Sequence, residues 1–290
     1  MFVCPNKSIA QSPTDFNYAE YSSYENFIND LNVTHRVINS GNWSDSDIWE
    51  NSELPGDFAV IEIPNSFEVN FDLSASPKFK ALIINGDLRS QVKRSQELNL
   101  SYLLVNGNFS VENAESSDTE FNLNLSDDDL LESFIALSPN GQIDLQGFEK
   151  EVSAYIGRNH FPNDQILYLD RLVDSWKRGD QVLVPSSEKS LKNKAEKLEL
   201  RSMASDKAYY FRNISNSNHV SFFRKKHKNP KRSRLKVPIL NISRNININN
   251  ISNDNGNSAI FSAFGGSLNL TGLSLNNFGN KSIPAMNLHG

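Results

Sequence analysis

Eight basic side chains lie close together in the segment "FFRKKHKNPKRSRLK", residues 222–236. Lysine and arginine at this density could bind a polyanion such as an acidic glycan, with each contact acting mainly as a salt-sensitive point charge. The candidate binding residues are Arg224, Lys225, Lys226, Lys231, Arg232 and Arg234. The same segment could equally be a solvated loop between two strands that has no ligand.

Aromatic and acidic residues supply two further kinds of candidate. Trp43 and Trp49 could stack on sugar rings, although large aromatic side chains more often fill a protein core. Asp127, Asp128 and Asp129 could supply carboxylate oxygens to Ca²⁺. Consecutive residues on a helix do not converge on one ion, so this acidic run is more simply explained as the capped start of a helix over Ser126–Leu137.

Several classes of function are disfavoured by what the chain lacks. Cys4 is the only cysteine, which excludes an intrachain disulfide and a thiolate metal cluster. The five histidines have no metal-ligand spacing, and no phosphate loop, dinucleotide fingerprint or nucleophile elbow occurs. We therefore predict no metal site and no cofactor. The formal net charge of −5 does not suggest nucleic-acid binding. No apolar run is long enough for a transmembrane helix, and the N-terminal apolar patch is too short for a signal peptide.

The elements that must position these residues are predicted to be strands. Short alternating runs, such as Phe67–Leu73, are separated by Gly, Asn, Asp and Pro. "LIINGDL" and "LLVNGNF" place the pairs Asn85-Gly86 and Asn106-Gly107 at an interval of 21 residues. This interval predicts successive rungs of a β-solenoid that turn at the same height. Alternating Asn in "LNISRNININNIS" suits Asn side chains that hydrogen-bond between rungs. A short helix near Tyr21–Leu31 is also expected.

The order of these motifs resembles the G-eight (G8) domain family. The matching positions in the first strands are Trp43, Trp49, Pro55, Gly56, Asp57, Val60, Ile63, Pro64, Val69, Leu82, Ile84, Gly86 and Leu88. Downstream, "LVDSWKRGDQVLVPSS" is similar to the family's Trp-Lys-x-Gly-Asp segment, and "ISRNINI" to its Leu-Thr-Arg-Asn-Ile. These segments contribute Trp176, Gly179, Asp180, Arg244 and Asn245 as structural motif residues. The family's Pro-x-His-Phe-His motif would fall at Pro284–Leu288, where both histidines are missing.

The resemblance implies an all-β fold, in which a G8-type β module leads into a right-handed parallel β-helix. We expect an N-terminal polar extension over residues 1–40, the G8-like domain over 41–137 and the opening rungs of an incomplete β-helix over 138–290. Trp176–Val184 would close one rung and start the next. The resemblance also implies an extracellular or cell-surface protein. In that setting the sequons at Asn32, Asn108 and Asn269 could carry glycans, although an Asn- and Ser-rich composition explains them as well.

Three functions follow from the resemblance. The first is a non-enzymatic carbohydrate-binding module for an acidic, hyaluronan-like polysaccharide. The second is a hyaluronidase-type depolymerase, which needs a pair of carboxylates about 5–9.5 Å apart; Asp170, Asp174 and Asp180 are the candidates near Trp176. The third is a structural fragment of a larger adhesin or receptor with no ligand. Facing carboxylates in an open groove would favour the second function, and the missing histidines count against it.

Overall fold

A computed structural model describes residues 18–112, 119–127, 132–158, 165–185, 195–205, 207–211, 237–251, 259–279 and 284–289. The described residues belong to two compact units. The first unit is Met1–Phe148 together with Asn245–Gly290, and the second is Glu149–Arg244. The domain boundaries at residues 40 and 137 stay a prediction.

The first unit is a coil of parallel rungs preceded by one helix. Its first part contains α1 (Tyr18–Asn29), β1 (His35–Arg36), β2 (Gly41–Asn42), a 3₁₀ turn (Ser46–Ile48), β3 (Val60–Ile63), β4 (Glu68–Asn70), β5 (Ala75–Ile84), β6 (Asp87–Gln91), β7 (Gln96–Val105), β8 (Asn108–Glu112), β9 (Phe121–Leu125), β10 (Phe134–Leu137) and β11 (Gln142–Gln146). The short helix expected near residue 21 is confirmed as α1. The helix predicted over residues 126–137 is wrong at its C-terminal end, because Phe134–Leu137 are four buried residues that pair in parallel with β7. Burial on the coil outweighs the capping signal.

The coil resumes after the second unit with strands that continue the same sheets. They are numbered after the six strands of that unit: β18 (Ile246–Asn250), β19 (Ile260–Phe264), β20 (Ser267–Thr271), β21 (Leu273–Asn276) and β22 (Met286–His289). One sheet has the order β1-β3-β5-β7-β10-β19-β22, with β9, β18 and β21 joined to it beside β7, and another has β2-β4-β6-β8-β11-β20. All these pairings are parallel. The predicted parallel β-helix is therefore confirmed.

Glycines at one corner of the coil let successive rungs approach closely. The two predicted repeat units meet there: Asn106 Nδ2 donates to Asn85 Oδ1 at 2.8 Å. A Cβ added at Gly107 would lie 2.1 Å from the carbonyl oxygen of Gly86, and one added at Gly86 would lie 2.3 Å from that of Pro64. Any side chain at these positions would force the rungs apart. The 21-residue interval thus marks a backbone contact, as the sequence predicted.

The second unit is an antiparallel barrel inserted in the sequence between two rungs. It contains β12 (Ser153–Tyr155), β13 (Ile166–Tyr168), β14 (Gln181–Val184), β15 (Glu196–Ser205), β16 (Ala208–Phe211) and β17 (Pro238–Asn241), in the order β12-β17-β14-β15-β16-β13. An antiparallel bridge between Ile156 and Leu169 closes the ring. The prediction that Trp176–Val184 forms a corner of the β-helix is wrong, because β14 pairs antiparallel with both β15 and β17.

A buried ion pair organises the barrel around the Trp-Lys-x-Gly-Asp segment. Lys150 Nζ lies 2.5 Å from Asp180 Oδ1, and both side chains are about 5 % exposed. Asp180 Oδ2 also accepts from Lys177 N at 3.0 Å and from Asn241 Nδ2 at 2.8 Å. Trp176 is buried and donates through Nε1 to Glu151 O at 2.7 Å. The segment therefore fixes a loop of the barrel, and Gly179 adopts φ +91° within it.

Gly107→Ala should destabilise the coil by about 3 kcal/mol, because a methyl group cannot fit 2.1 Å from a backbone oxygen without moving a rung. Gly56→Ala is the matched control, since a Cβ at Gly56 meets nothing within 4 Å. Its free energy of unfolding should change by no more than about 0.5 kcal/mol. Urea unfolding followed by circular dichroism measures both. Equal stability of the two variants would contradict the close rung contact.

Lys150→Met should destabilise the barrel by about 3–5 kcal/mol, because it leaves the Asp180 carboxylate buried without its cation. Arg89→Met is the control: its partner Glu68 is 3.2 Å away, but both side chains are about half exposed. An exposed pair contributes less than about 1 kcal/mol. The midpoints of thermal unfolding should separate the variants, and a Lys150→Met protein as stable as the control would refute the structural role of the pair.

Candidate functional site

An open polar groove of about 870 Å³ runs across the corners of several rungs in the first unit. Its walls are lined by Tyr21, Glu25, Glu62, Pro64, Asn65, Ser66, Asn85, Asn106, Ser138, Pro139 and Asn140. Most of these side chains can donate or accept hydrogen bonds, and none is a lysine, arginine or histidine. The groove is therefore suited to a ligand that is rich in hydroxyl or amide groups.

The floor of the groove is a row of side chains held at the spacing of the rungs. Asn106 bonds Asn85, and Asn85 Nδ2 donates to Glu62 Oε1 at 3.1 Å. Each asparagine precedes a glycine that allows the next rung to approach, so the Asn-Gly pair supplies both the polar group and its spacing. The hydrogen bonds between neighbours fix the orientation of each amide before any ligand arrives.

The helix α1 forms the opposite wall. Tyr21 Oη donates to Asn106 Oδ1 at 2.9 Å and lies 3.4 Å from Glu25 Oε1. An apolar face holds the helix on the coil: the ring of Phe27 contacts Tyr102 at a centroid distance of 4.8 Å, and that of Tyr24 contacts Phe134 at 4.7 Å. Because Tyr21 and Glu25 are one helical turn apart, both project toward the groove.

Two of the described lining residues, Glu25 and Glu62, are acidic. Glu62 is paired with Arg36, whose Nη2 lies 2.7 Å from Glu62 Oε2. Glu25 brings a second carboxylate from α1 to the same groove. Among the described lining residues there is no basic side chain that would attract a uronate or a phosphate. Among the described residues, no cluster of three or more His, Cys, Asp or Glu side chains could hold a metal ion.

The tryptophans chosen as binding candidates lie in the core of the coil. Trp43 and Trp49 are each 1 % exposed, and their rings meet edge to face at a centroid distance of 5.0 Å. Trp49 Nε1 also donates to Trp43 O at 3.1 Å. Neither ring offers a face to a ligand in this structure, so the two residues follow the core-packing alternative.

Some of the other acidic and basic candidate residues lie among the described residues, and the rest lie outside them. Asp180 is buried by its structural contacts, whereas Asp170 Oδ1 accepts from Tyr155 N at 3.2 Å and Asp174 is exposed. A catalytic role for these three residues stays a prediction. Asp127 Oδ1 accepts from Ser133 Oγ at 3.0 Å. The basic candidates between residues 224 and 234, together with Asp128 and Asp129, lie outside the described residues.

The predicted structural motif residues have visible contacts. Asp57 Oδ1 accepts from Lys78 N at 2.9 Å, close to buried Pro55. Arg244 Nη1 donates to Asn241 O at 3.1 Å. Asn245 is 2 % exposed, and its Oδ1 accepts from Phe148 N at 2.8 Å. This last bond joins the two chain positions that flank the barrel in sequence.

Sequence reasoning missed Tyr21, Glu25 and Glu62 as groove residues. A weak signal exists for each of them. Tyr21 and Glu25 have helical spacing, and Glu62 is the outward residue of the alternating strand "VIEI". Only the packing of α1 on the coil brings these side chains to one groove.

Comparison with known proteins gives one family match and one similar solved structure to report. The G8 domain family matches residues 48–155. No curated protein matches the chain. Among solved structures, the chain is similar to the Gp54 tailspike of Acinetobacter baumannii bacteriophage AP22, in complex with A. baumannii capsular saccharide. It is 14 % identical, with a TM-score of 0.25, and the match covers 71 % of this chain and 34 % of the tailspike. The described residues include no helix long and apolar enough to cross a membrane. Residues 48–155, which include the strands β3 to β11, are thus similar to the G8 domain family.

Proposed function

We propose that this chain is an extracellular module that binds a polysaccharide in the groove between α1 and the corners of the rungs. The observation that carries the proposal is the groove itself: about 870 Å³ of open space with a floor of pre-oriented amide side chains. Sugar hydroxyls both donate and accept hydrogen bonds, and amide side chains do the same. The extracellular location is supported by the G8 domain. Attachment to the cell surface and glycans on Asn32, Asn108 or Asn269 belong to the same proposal.

The two carboxylates in the groove affect which polysaccharide can bind there. Glu25 and Glu62 disfavour a polymer of uronates such as hyaluronan in this place, and they favour a neutral or amino-bearing sugar chain. The hyaluronan-like ligand is implied by the family resemblance, and the basic segment at residues 222–236 is the candidate site for an acidic glycan. If that segment binds an acidic glycan, the binding should weaken steeply with salt, whereas binding in the groove should not.

A depolymerase is the second candidate, because one groove holds two carboxylates. A glycoside hydrolase uses one carboxyl group as acid and the other as base or nucleophile. Glu25 on α1 and Glu62 on β3, which is paired with Arg36, are the two carboxylates of this candidate pair. In this proposal Glu25 and Glu62 replace Asp170, Asp174 and Asp180 as the catalytic candidates. Against it, Glu62 is already engaged by Arg36 and Asn85.

Removal of two exposed amides from the rim tests the binding proposal. The double variant Asn65→Ala/Asn140→Ala should weaken binding of a neutral or amino-bearing polysaccharide about tenfold, because each lost hydrogen bond contributes about 0.5–1.5 kcal/mol. The exposed Asn51→Ala is the control outside the groove. Affinity electrophoresis on a panel of neutral, amino-bearing and acidic polysaccharides measures the effect. A double variant that binds every polysaccharide as the unsubstituted protein does would overturn the proposal.

The same mixtures of protein and polysaccharide test whether the protein cleaves the polymer. We expect binding without any shortening of the polymer, as measured by size-exclusion chromatography after prolonged incubation. If shortening occurs, Glu25→Gln and Glu62→Gln should each reduce its rate by at least about 100-fold, because each removes one partner of the carboxylate pair. Shortening that survives both substitutions would exclude this groove as the catalytic site.

A further inference from the structure

The outer surface of β9, β18 and β21 carries a flat array of amide groups that is separate from the groove. One file, here called file 1, consists of Asn99, Asn124, Asn249 and Asn276, and a second, file 2, of Asn122, Asn247 and Ser274. We propose that this double file is a second carbohydrate-binding surface, which takes an extended, uncharged polysaccharide across several rungs. The inference goes beyond the groove and stands whether or not the groove binds a ligand.

Hydrogen bonds along file 1 align its side chains. Asn124 Nδ2 donates to Asn99 Oδ1 at 2.9 Å, Asn249 Nδ2 to Asn124 Oδ1 at 2.9 Å, and Asn276 Nδ2 to Asn249 Oδ1 at 2.8 Å. Every amide therefore points in the same direction along the coil. The repeat distance is that of neighbouring strands, about 4.8 Å.

File 2 runs beside the first and is linked to it. Asn247 Nδ2 donates to Asn122 Oδ1 at 3.0 Å, and Ser274 Oγ donates to Asn247 Oδ1 at 2.6 Å. Asn276 Nδ2 also lies 3.2 Å from Ser274 Oγ, which ties the two files at the last rung. Residues two apart on a strand share one face, so both files lie on the outer side of the sheet while Ile246 and Ile248 fill the core.

The hydrogen bonds along the files use only half of the donors and acceptors of each amide that lies between two others. An asparagine side chain has two N–H groups and two oxygen lone pairs. Asn124, Asn247 and Asn249 each donate one N–H to the preceding rung and accept one bond from the following rung. Within the described part of the chain, one donor and one acceptor on each of them remain for a ligand. The surface thus offers donors and acceptors in alternation, at a fixed interval and in fixed orientation.

A polymer with a hydroxyl on every unit is the ligand that matches such an array. Fixed orientation lowers the entropy lost on binding, but each single contact is weak, so a short sugar would bind poorly. A longer chain adds contacts at every rung it crosses, and the affinity rises with its length. The periodicity of the files therefore indicates a polymer rather than an isolated sugar.

The files carry no charge, and this selects against an acidic polymer. Lys78 is paired in register with Asn99, and Glu97 with Asn122, so one cation and one anion lie at the same end. Between that end and the last rung all seven positions are neutral. Binding to this surface should thus depend little on salt, unlike binding to a basic segment.

The experiment compares two pairs of substitutions that each remove inter-rung bonds on the outside of the coil. Asn247→Ala/Asn249→Ala removes the centre of both files. Asn70→Ala/Asn269→Ala removes two outward asparagines from another sheet, where Asn70 bonds Asn42 at 2.8 Å and Asn269 bonds Asp144 at 2.9 Å. The probes are neutral unbranched glucan and mannan chains, from two to about ten sugar units, because the proposed contacts add up along the polymer.

We expect the affinity of the unsubstituted chain to rise with the length of the polysaccharide and to change less than about twofold between low and moderate salt. The variant of the files should lose at least about tenfold for the longest probe, and the control pair less than about twofold. The groove variant Asn65→Ala/Asn140→Ala should keep the dependence on length, which separates the two surfaces. If the file variant does not fold, Asn249→Gln preserves the amide chemistry but shifts it by one methylene, and it should lose at least about threefold. Affinity independent of length, or equal losses in file and control variants, would overturn the proposal.

Discussion

Close approach of the backbone between rungs is the constraint on which the first unit depends. At Gly86 and Gly107 a backbone carbonyl oxygen from earlier in the chain leaves no space for a Cβ, and the same holds at Gly141 and Gly266 farther along the coil. Because these corners are stacked, the strands that leave them remain in register over many rungs. This register aligns the side chains of the core and also those of file 1 and file 2.

Because the register is fixed, asparagines at equivalent positions of different rungs lie beside one another. An asparagine on one rung meets an asparagine on another, as Asn85 meets Asn106 in the groove and Asn124 meets Asn249 on the outer face. These bonds satisfy part of each amide and orient the rest. A coil that stacks polar groups in this way stabilises itself and presents a regular surface with the same side chains, so stability and recognition need not compete at these positions.

The barrel is stabilised by other interactions than the coil. Its strands are antiparallel and short, and a buried ion pair between Lys150 and Asp180 fixes the loop before β14. The Trp-Lys-x-Gly-Asp segment therefore belongs to the barrel and not to a rung of the coil. Phe148 and Asn245, which bond one another, let the coil continue after an excursion of nearly 100 residues.

By itself the sequence determined the parts that depend on local pattern. Alternating strands, the Asn-Gly interval, the stacked asparagines and α1 were all predictable, because periodicity and turn chemistry act over a few residues. The tertiary structure decided what depends on distant pairing: that Trp43 and Trp49 are core residues, that Phe134–Leu137 form a strand, and that β14 belongs to a barrel. It also decided the groove, since Tyr21 and Glu62 meet there only through the packing of a helix against rungs that lie far from it in sequence.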